Sequence, residues 1–223
     1  MDTTSRKTWS MGIGVAAAVS LYGISFGALS VASGLDVWQT QFLSIVMFSG
    51  GSQFAVIGLI ASGAAGGSAI ASAALLGVRN TLYAVTMAPT IGPGLWKRLL
   101  AGQLTIDEST AVSLSQSELR HKRLGFWVTG IGVFVGWNSM TFLGAMLGDA
   151  VGDVRAFGLD AAAAAAFLAL LWPRLTAKDP IVIAVVAAVV TVIAIPAVPA
   201  GVPVLVAAAV GLVTGFVLNR GTT

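Results

Sequence analysis

Between Ser68 and Pro89 the chain offers an apolar run whose only charge, Arg79, stands near its middle. A helix of about 20 apolar residues crosses the hydrocarbon core of a bilayer. A guanidinium at that depth costs roughly 2.5 to more than 10 kcal/mol, depending on the reference state, unless an acceptor faces it. The rest of the chain has the same character. Hydrophobic residues make up 57% of the sequence and charged ones 9%, with a mean hydropathy of +0.91, against roughly 25% charge in a soluble domain. These values specify an all-α integral membrane protein, a single polytopic domain over residues 1–223 with about six or seven transmembrane helices.

Composition also excludes functions. With no cysteine and one histidine, His121, the chain has neither disulfides nor the ligands of a Cys or His-rich metal site. No cofactor and no enzymatic activity are expected, because no nucleophile and base pair can be recognised. The net charge of +3 lies in residues flanking apolar segments, which fits positive-inside loops rather than nucleic-acid binding. Met11 to Ser33 is too long for a signal-peptide core.

In chain order, residues 1–10 read as a polar tail and about Met11–Ala32 as a first span, with Gly23 and Gly27 as a small-residue face. Trp38 is placed as an interfacial aromatic. A second segment, about Thr40–Ser62, is split by Ser49-Gly50-Gly51-Ser52-Gln53. It is either a spanning helix unwound at its centre or a re-entrant hairpin, and both need a polar cavity near Gly50, since bare backbone at membrane depth must be covered. A half-helix beginning near Ser52 or Gln53 would turn free N–H groups toward a substrate carboxylate. On the third segment Arg79 and Tyr83 share a face, with Thr86 nearby. That face either bridges helices or forms an anion or proton-coupling site.

The polar segment 94–123 holds Asp107, Glu108 and Glu118 between basic ends, with His121 inside the second basic cluster. It is either a solvated loop or a fold-back that brings Asp107-Glu108 to Arg79, where one carboxylate neutralises the arginine and the other titrates. His121 is expected on the surface. About Leu124–Leu147 is a fourth span with Gly132/Gly136 and Gly144/Gly148 packing faces and Asn138 as a cavity candidate or interhelical bond. Asp149, Asp153 and Arg155 then form a loop. A fifth span follows at about Phe157–Leu175, with Asp160 in its first turn. Ile181–Ala197 and Val202–Leu218 pair as a hairpin. The positive-inside rule places the carboxy terminus in the cytoplasm.

The ordered set Gly23-Ile24-Ser25-Phe26-Gly27, Phe48-Ser49-Gly50-Gly51-Ser52-Gln53-Phe54, Gly77-Val78-Arg79-Asn80-Thr81-Leu82-Tyr83 and Leu104-Thr105-Ile106-Asp107-Glu108, with Gly158-Leu159-Asp160 beyond, resembles the AzlC family of bacterial branched-chain amino-acid exporters. Three positions depart from the family pattern. Asn80 stands where the family commonly has His, Ile106 separates Thr105 from the acids, and an alanine run occupies 161–166. The resemblance implies a permease of the bacterial cytoplasmic membrane that works with a small AzlD-like membrane subunit.

Joined to the residue-level reading, this gives a secondary transporter of Leu, Ile, Val or Met. Gly50, Gly51, Ser52, Gln53, Arg79, Tyr83 and Asn138 are the candidate substrate residues, with Phe48, Phe54 and Leu82 as apolar neighbours. Asp107 and Glu108 are the candidate proton-coupling pair. A passive channel and a non-transporting membrane scaffold are the alternatives.

Overall fold

The longest helix, Leu119–Val151, serves as a ruler for the rest. It is the eighth α-helix along the chain in a computed structural model that describes residues 2–151, 168, 171–172, 175–198 and 202–220. At 1.5 Å per residue this helix, α8, is about 50 Å long. The preceding helices are α1 (Thr3–Ser20), α2 (Tyr22–Ala32), α3 (Val37–Val46), α4 (Gly50–Ala61), α5 (Gly66–Ile91), α6 (Leu95–Leu104) and α7 (Asp107–Leu114). After α8 come α9 (Lys178–Ala194), a 3-10 turn at Ile195–Ala197 and α10 (Val202–Arg220). Among the described residues, three stretches are long and apolar enough to cross a membrane: Thr3–Ala32, Leu119–Val151 and Lys178–Ala197. Gly50–Ala61 and Leu205–Leu218 are shorter apolar helices. The fifth span, with Asp160, and the loop residues Asp153 and Arg155 lie outside the described residues; Asp149, expected in that loop, is inside α8.

The first span begins earlier than its hydropathy suggests. Residues 3–10 are helical, not a tail, because the Asp2 carboxylate caps α1 by accepting the Ser5 N–H at 2.6 Å. This bond holds the Asp2 carboxyl below its ordinary pKa. The polar start of α1 also has a partner. His121 is 5% exposed rather than on the surface, with Nε2 3.2 Å from Ser5 Oγ and Nδ1 3.3 Å from Glu118.

The pair α1–α2 runs parallel to α8, joined by small residues on both sides. A methyl group at Gly132 would stand 2.8 Å from Ala16 Cβ, one at Gly23 2.7 Å from Trp137 O, and one at Gly144 2.7 Å from Ile24 Cα. Backbones approach this closely only where side chains are absent, and in lipid such packing replaces the hydrophobic drive.

Along this ruler, the interrupted second segment doubles back. Trp38 lies beside Phe142 with centroids 6.0 Å apart, and Phe48 beside Phe134 at 5.0 Å, so α3 runs antiparallel to α8. Helix α5 is antiparallel to α8 too, since Thr90 O near its end accepts from Arg123 Nε at 2.7 Å. A short turn with Gly63 at φ +72° folds α4 against α5, where Ser52 Oγ donates to Ala73 O at 3.0 Å. Helix α4 therefore leaves by the end at which α3 entered, and the segment is a re-entrant hairpin.

A second hairpin enters from the opposite end. A methyl group at Gly130 would stand 3.1 Å from Leu104 O, and one at Gly125 3.1 Å from Val112 Cγ1. Ser113 Oγ donates to Lys122 O at 2.9 Å. Helix α6 thus runs inward and α7 outward along α8, and segment 94–123 is no plain solvated loop. Each hairpin starts after a positive-φ glycine, Gly34 or Gly94, with a ten-residue helix whose second residue is an exposed Trp, Trp38 or Trp96. Exposed tryptophans at both ends match the aromatic belts of a bilayer. Helices α9 and α10 pair with each other, Ile183 facing Gly211 and Gly215.

Replacing Gly144 by Val drives a branched side chain into the Ile24 backbone and is expected to destabilise the fold by about 1–3 kcal/mol or more. Gly14→Ala, which meets nothing within 4 Å, is expected to leave the melting temperature in detergent unchanged. Equal melting temperatures for Gly144→Val and wild type would remove α2–α8 contact from the determinants of the fold.

Candidate functional site

Where the two hairpin tips meet, the backbone carbonyls ending their first helices need partners, and the sequence supplies amides and hydroxyls for them. Gln53 Nε2 donates to Ser44 O at 3.2 Å and Met47 O at 2.7 Å, while its Oε1 accepts from Trp137 Nε1 at 3.0 Å. Gln103 Nε2 reaches across from the other hairpin to Ile45 O at 2.7 Å. In the second tip Thr105 Oγ1 donates to Ala101 O at 2.6 Å and Ser109 Oγ to Leu104 O at 2.7 Å.

The N–H groups at the tips are treated differently. In α4 the first intrahelical bond is Gln53 N–H to Ser49 O, so the N–H groups of Gly50, Gly51 and Ser52 precede the ladder. The Ser49 side chain does not cap them; its Oγ donates to Ser52 Oγ at 3.2 Å. Helix α4 begins at Gly50, earlier than the Ser52 or Gln53 start that the glycines suggested, because glycine tolerates a helical first turn under close cover. A methyl group at Gly51 would come 3.1 Å from Arg79 Nη2 and one at Gly50 3.5 Å from Trp137 Cη2.

Arg79 Nη1 meets Asp107 Oδ2 at 2.8 Å, with both side chains a little over a quarter exposed. The bond links α5 to the first residue of α7. Around it is a cavity of about 170 Å³. Its polar wall is Ser49, Gly50, Gly51, Arg79, Asn80, Asp107 and Glu108; its apolar wall includes Val19, Phe48, Phe54, Ile106, Val133 and Trp137. The volume equals about six waters at 30 Å³ each, the scale of a small organic solute. Phe26, Phe54 and Trp137 support the apolar side, with Phe26 stacked on Trp137 at 6.1 Å and edge-on to Phe54 at 5.6 Å.

Of the residues expected in a site, Gly50, Gly51, Arg79, Asp107 and Glu108 line this one. Ser52, Gln53, Tyr83 and Asn138 do not. Ser52 and Gln53 are 1% and 0% exposed and spent on the hydrogen bonds above. Asn138 Nδ2 donates to Phe134 O at 2.8 Å and its Oδ1 lies 3.5 Å from Gln41 Nε2, at the limit of a bond between α3 and α8. Tyr83 lies a helical turn beyond Arg79, and neither it nor Thr86, which is exposed and bonded to Leu82 O at 3.0 Å, lines the cavity. Leu82 is 63% exposed and faces away. Trp137 and Tyr22 carry no signal in the sequence that sets them apart from packing aromatics. Both line the cavity because α2 and α8 cross beside it.

A family model described as AzlC protein matches residues 14–151, more than half of the chain. The chain belongs to the AzlC family. The matched stretch contains both hairpins, α5 and the whole of α8. An AzlC chain is a membrane protein related to branched-chain amino-acid export, and its apolar helices sit in a lipid bilayer. No curated protein and no solved structure matches the chain. Among the described residues, no group of three or more His, Cys, Asp or Glu is placed to hold a metal ion.

Gly51→Ala is expected to displace the Arg79 guanidinium by several tenths of an ångström and weaken ligand binding at the cavity. Gly58→Ala on the same helix, with open space around it, is expected to bind as wild type does. Isothermal titration of the two variants with leucine compares them; equal affinity would separate the Gly51–Arg79 contact from the site.

Proposed function

We propose that this AzlC chain is a secondary transporter, not an enzyme, that exports leucine, isoleucine, valine or methionine from the bacterial cytoplasm in exchange for protons. The observation that carries the reading is the cavity at the meeting of two opposed hairpin tips, lined by uncapped N–H groups and the Arg79–Asp107 pair. Half-helix N-termini near mid-bilayer are the usual seat of a substrate carboxylate in carriers of this construction. Arg79 adds a planar donor beside Gly51. Phe48, Phe54, Val133 and Trp137 provide the apolar wall that an aliphatic side chain needs. Membership in the AzlC family favours export as the direction and a small AzlD-like subunit as the working partner. The basic loops favour a cytoplasmic carboxy terminus.

Counterflow tests the proposal. Proteoliposomes loaded with unlabelled leucine, with and without an AzlD-like subunit, are expected to accumulate labelled leucine transiently. Saturating counterflow distinguishes a carrier from a channel; its absence in both preparations would rule the assignment out. Arg79→Lys is expected to insert and purify normally with flux at least about tenfold lower, because an ammonium does not reproduce the bidentate fork. Wild-type flux in Arg79→Lys would make the arginine a structural tie only.

A further inference from the structure

Once Arg79 and Asp107 are paired, the cavity retains a second carboxylate. The titratable groups that line it are Tyr22 from α2, Arg79 from α5, and Asp107 and Glu108 from α7; α4 and α8 contribute none among their described lining residues. One guanidinium and two carboxylates leave the lining one negative charge in excess. A charge at that depth must be neutralised by something that enters.

A second feature indicates the chemistry of that entrant. Asn80 is one of the lining residues, and its Oδ1 is a buried acceptor with no hydrogen-bond partner, an unmet demand that a small side-chain rotation would turn to an entering donor. An excess carboxylate and an idle acceptor in the lining call for a cationic donor. The tip of α4 offers the opposite, the N–H groups of Gly50 and Gly51 with Arg79 against Gly51.

We propose that Glu108 is a shared seat, holding the substrate's ammonium group in the loaded carrier and a proton in the empty one, with Asn80 Oδ1 as the ammonium's second acceptor. The inference rests on the amino-acid reading above and fixes the orientation of the zwitterion, carboxylate on α4 and ammonium on α7. The exchange balances. The O–H bond of the Glu108 carboxylic acid breaks, its proton passes to water on the open side, and the carboxylate accepts a hydrogen bond donated by an N–H of the arriving ammonium. No group is oxidised or reduced. Substrate and proton exclude each other, and a bare Glu108 carboxylate at membrane depth opposes reorientation of the carrier with neither bound, so exchange is one for one.

Linkage makes the consequence measurable, because whatever expels a proton binds less well where protons are abundant. In weakly buffered detergent solution, leucine binding to the intact wild-type chain, with its small subunit where counterflow requires it, is expected to release about one proton, and its affinity to fall up to about tenfold per pH unit in acid. Glu108→Gln is expected to abolish both the release and the pH dependence. Glu108→Asp, which keeps the acid on a shorter arm, is expected to retain proton release with weakened leucine affinity and serves if the amide variant fails to fold. Asn80→Ala is expected to weaken leucine binding without removing the proton signal. 4-Methylpentanoate, which lacks the ammonium group, is expected to release no proton from wild type. Proton release by Glu108→Gln equal to wild type, or by 4-methylpentanoate equal to leucine, would overturn the shared seat and leave the transporter reading intact. A wild-type protein that binds and exchanges no amino acid would overturn both.

Discussion

A helix that stops halfway through an apolar bundle leaves carbonyls without partners, and the satisfaction of those carbonyls is what the rest of this molecule depends on. In the first hairpin the acceptors are Ser44 O, Ile45 O and Met47 O, held by two glutamines, one from the same hairpin and one from the other. In the second they are Ala101 O and Leu104 O, held by Thr105 and Ser109. Gln103 is the cross-tie, since its amide from one tip completes the other. With the carbonyl ends answered by side chains, the N–H ends can remain open toward the cavity. The tips thereby acquire a polarity that a continuous helix would not have.

The packing around the tips follows from this arrangement. Two hairpins need room beside the spanning helices, and the glycines of α2 and α8 provide it by letting those backbones close to contact distance. Phe26, Phe54 and Trp137 then fill the space between the paired helices and the first tip. Trp137 has two functions at one position. Its ring lines the cavity and its indole N–H holds Gln53 in place to bond the tip carbonyls.

Local signals in the chain were legible where a single segment carried them. The apolar runs, the interruption near Gly50, the Gly23/Gly27 and Gly144/Gly148 faces and the carboxy-terminal hairpin could be read from periodicity and composition. Over long separations only Arg79 with Asp107, 28 residues apart, was among the readings, because a charge at membrane depth calls for an opposite one. Gln53 with Trp137 and Ser5 with His121 are pairs whose members are 84 and 116 residues apart, and spacing along the chain does not indicate which acceptor a neutral donor will meet. Gln53 looked like a ligand residue for a sound reason, being a polar amide at membrane depth, but the nearest carbonyls needing it belonged to its own chain. His121 was misplaced for a related reason. A basic cluster in sequence suggests solvent, whereas the folded amino-terminal helix covers it.

Helix α5 connects the two hairpins and passes from one end of the bundle to the other once. Any odd number of passages between two copies of a motif turns the second copy upside down, and an even number would leave both the same way up. The opposition of the tips is therefore a matter of parity, set by the count of crossings rather than by any bond between them. Residues of α5 can be exchanged at many positions without altering it. Removing or adding one passage would bring both tips in from the same end, and no set of local contacts could then place a carboxylate of one across from the bare amides of the other.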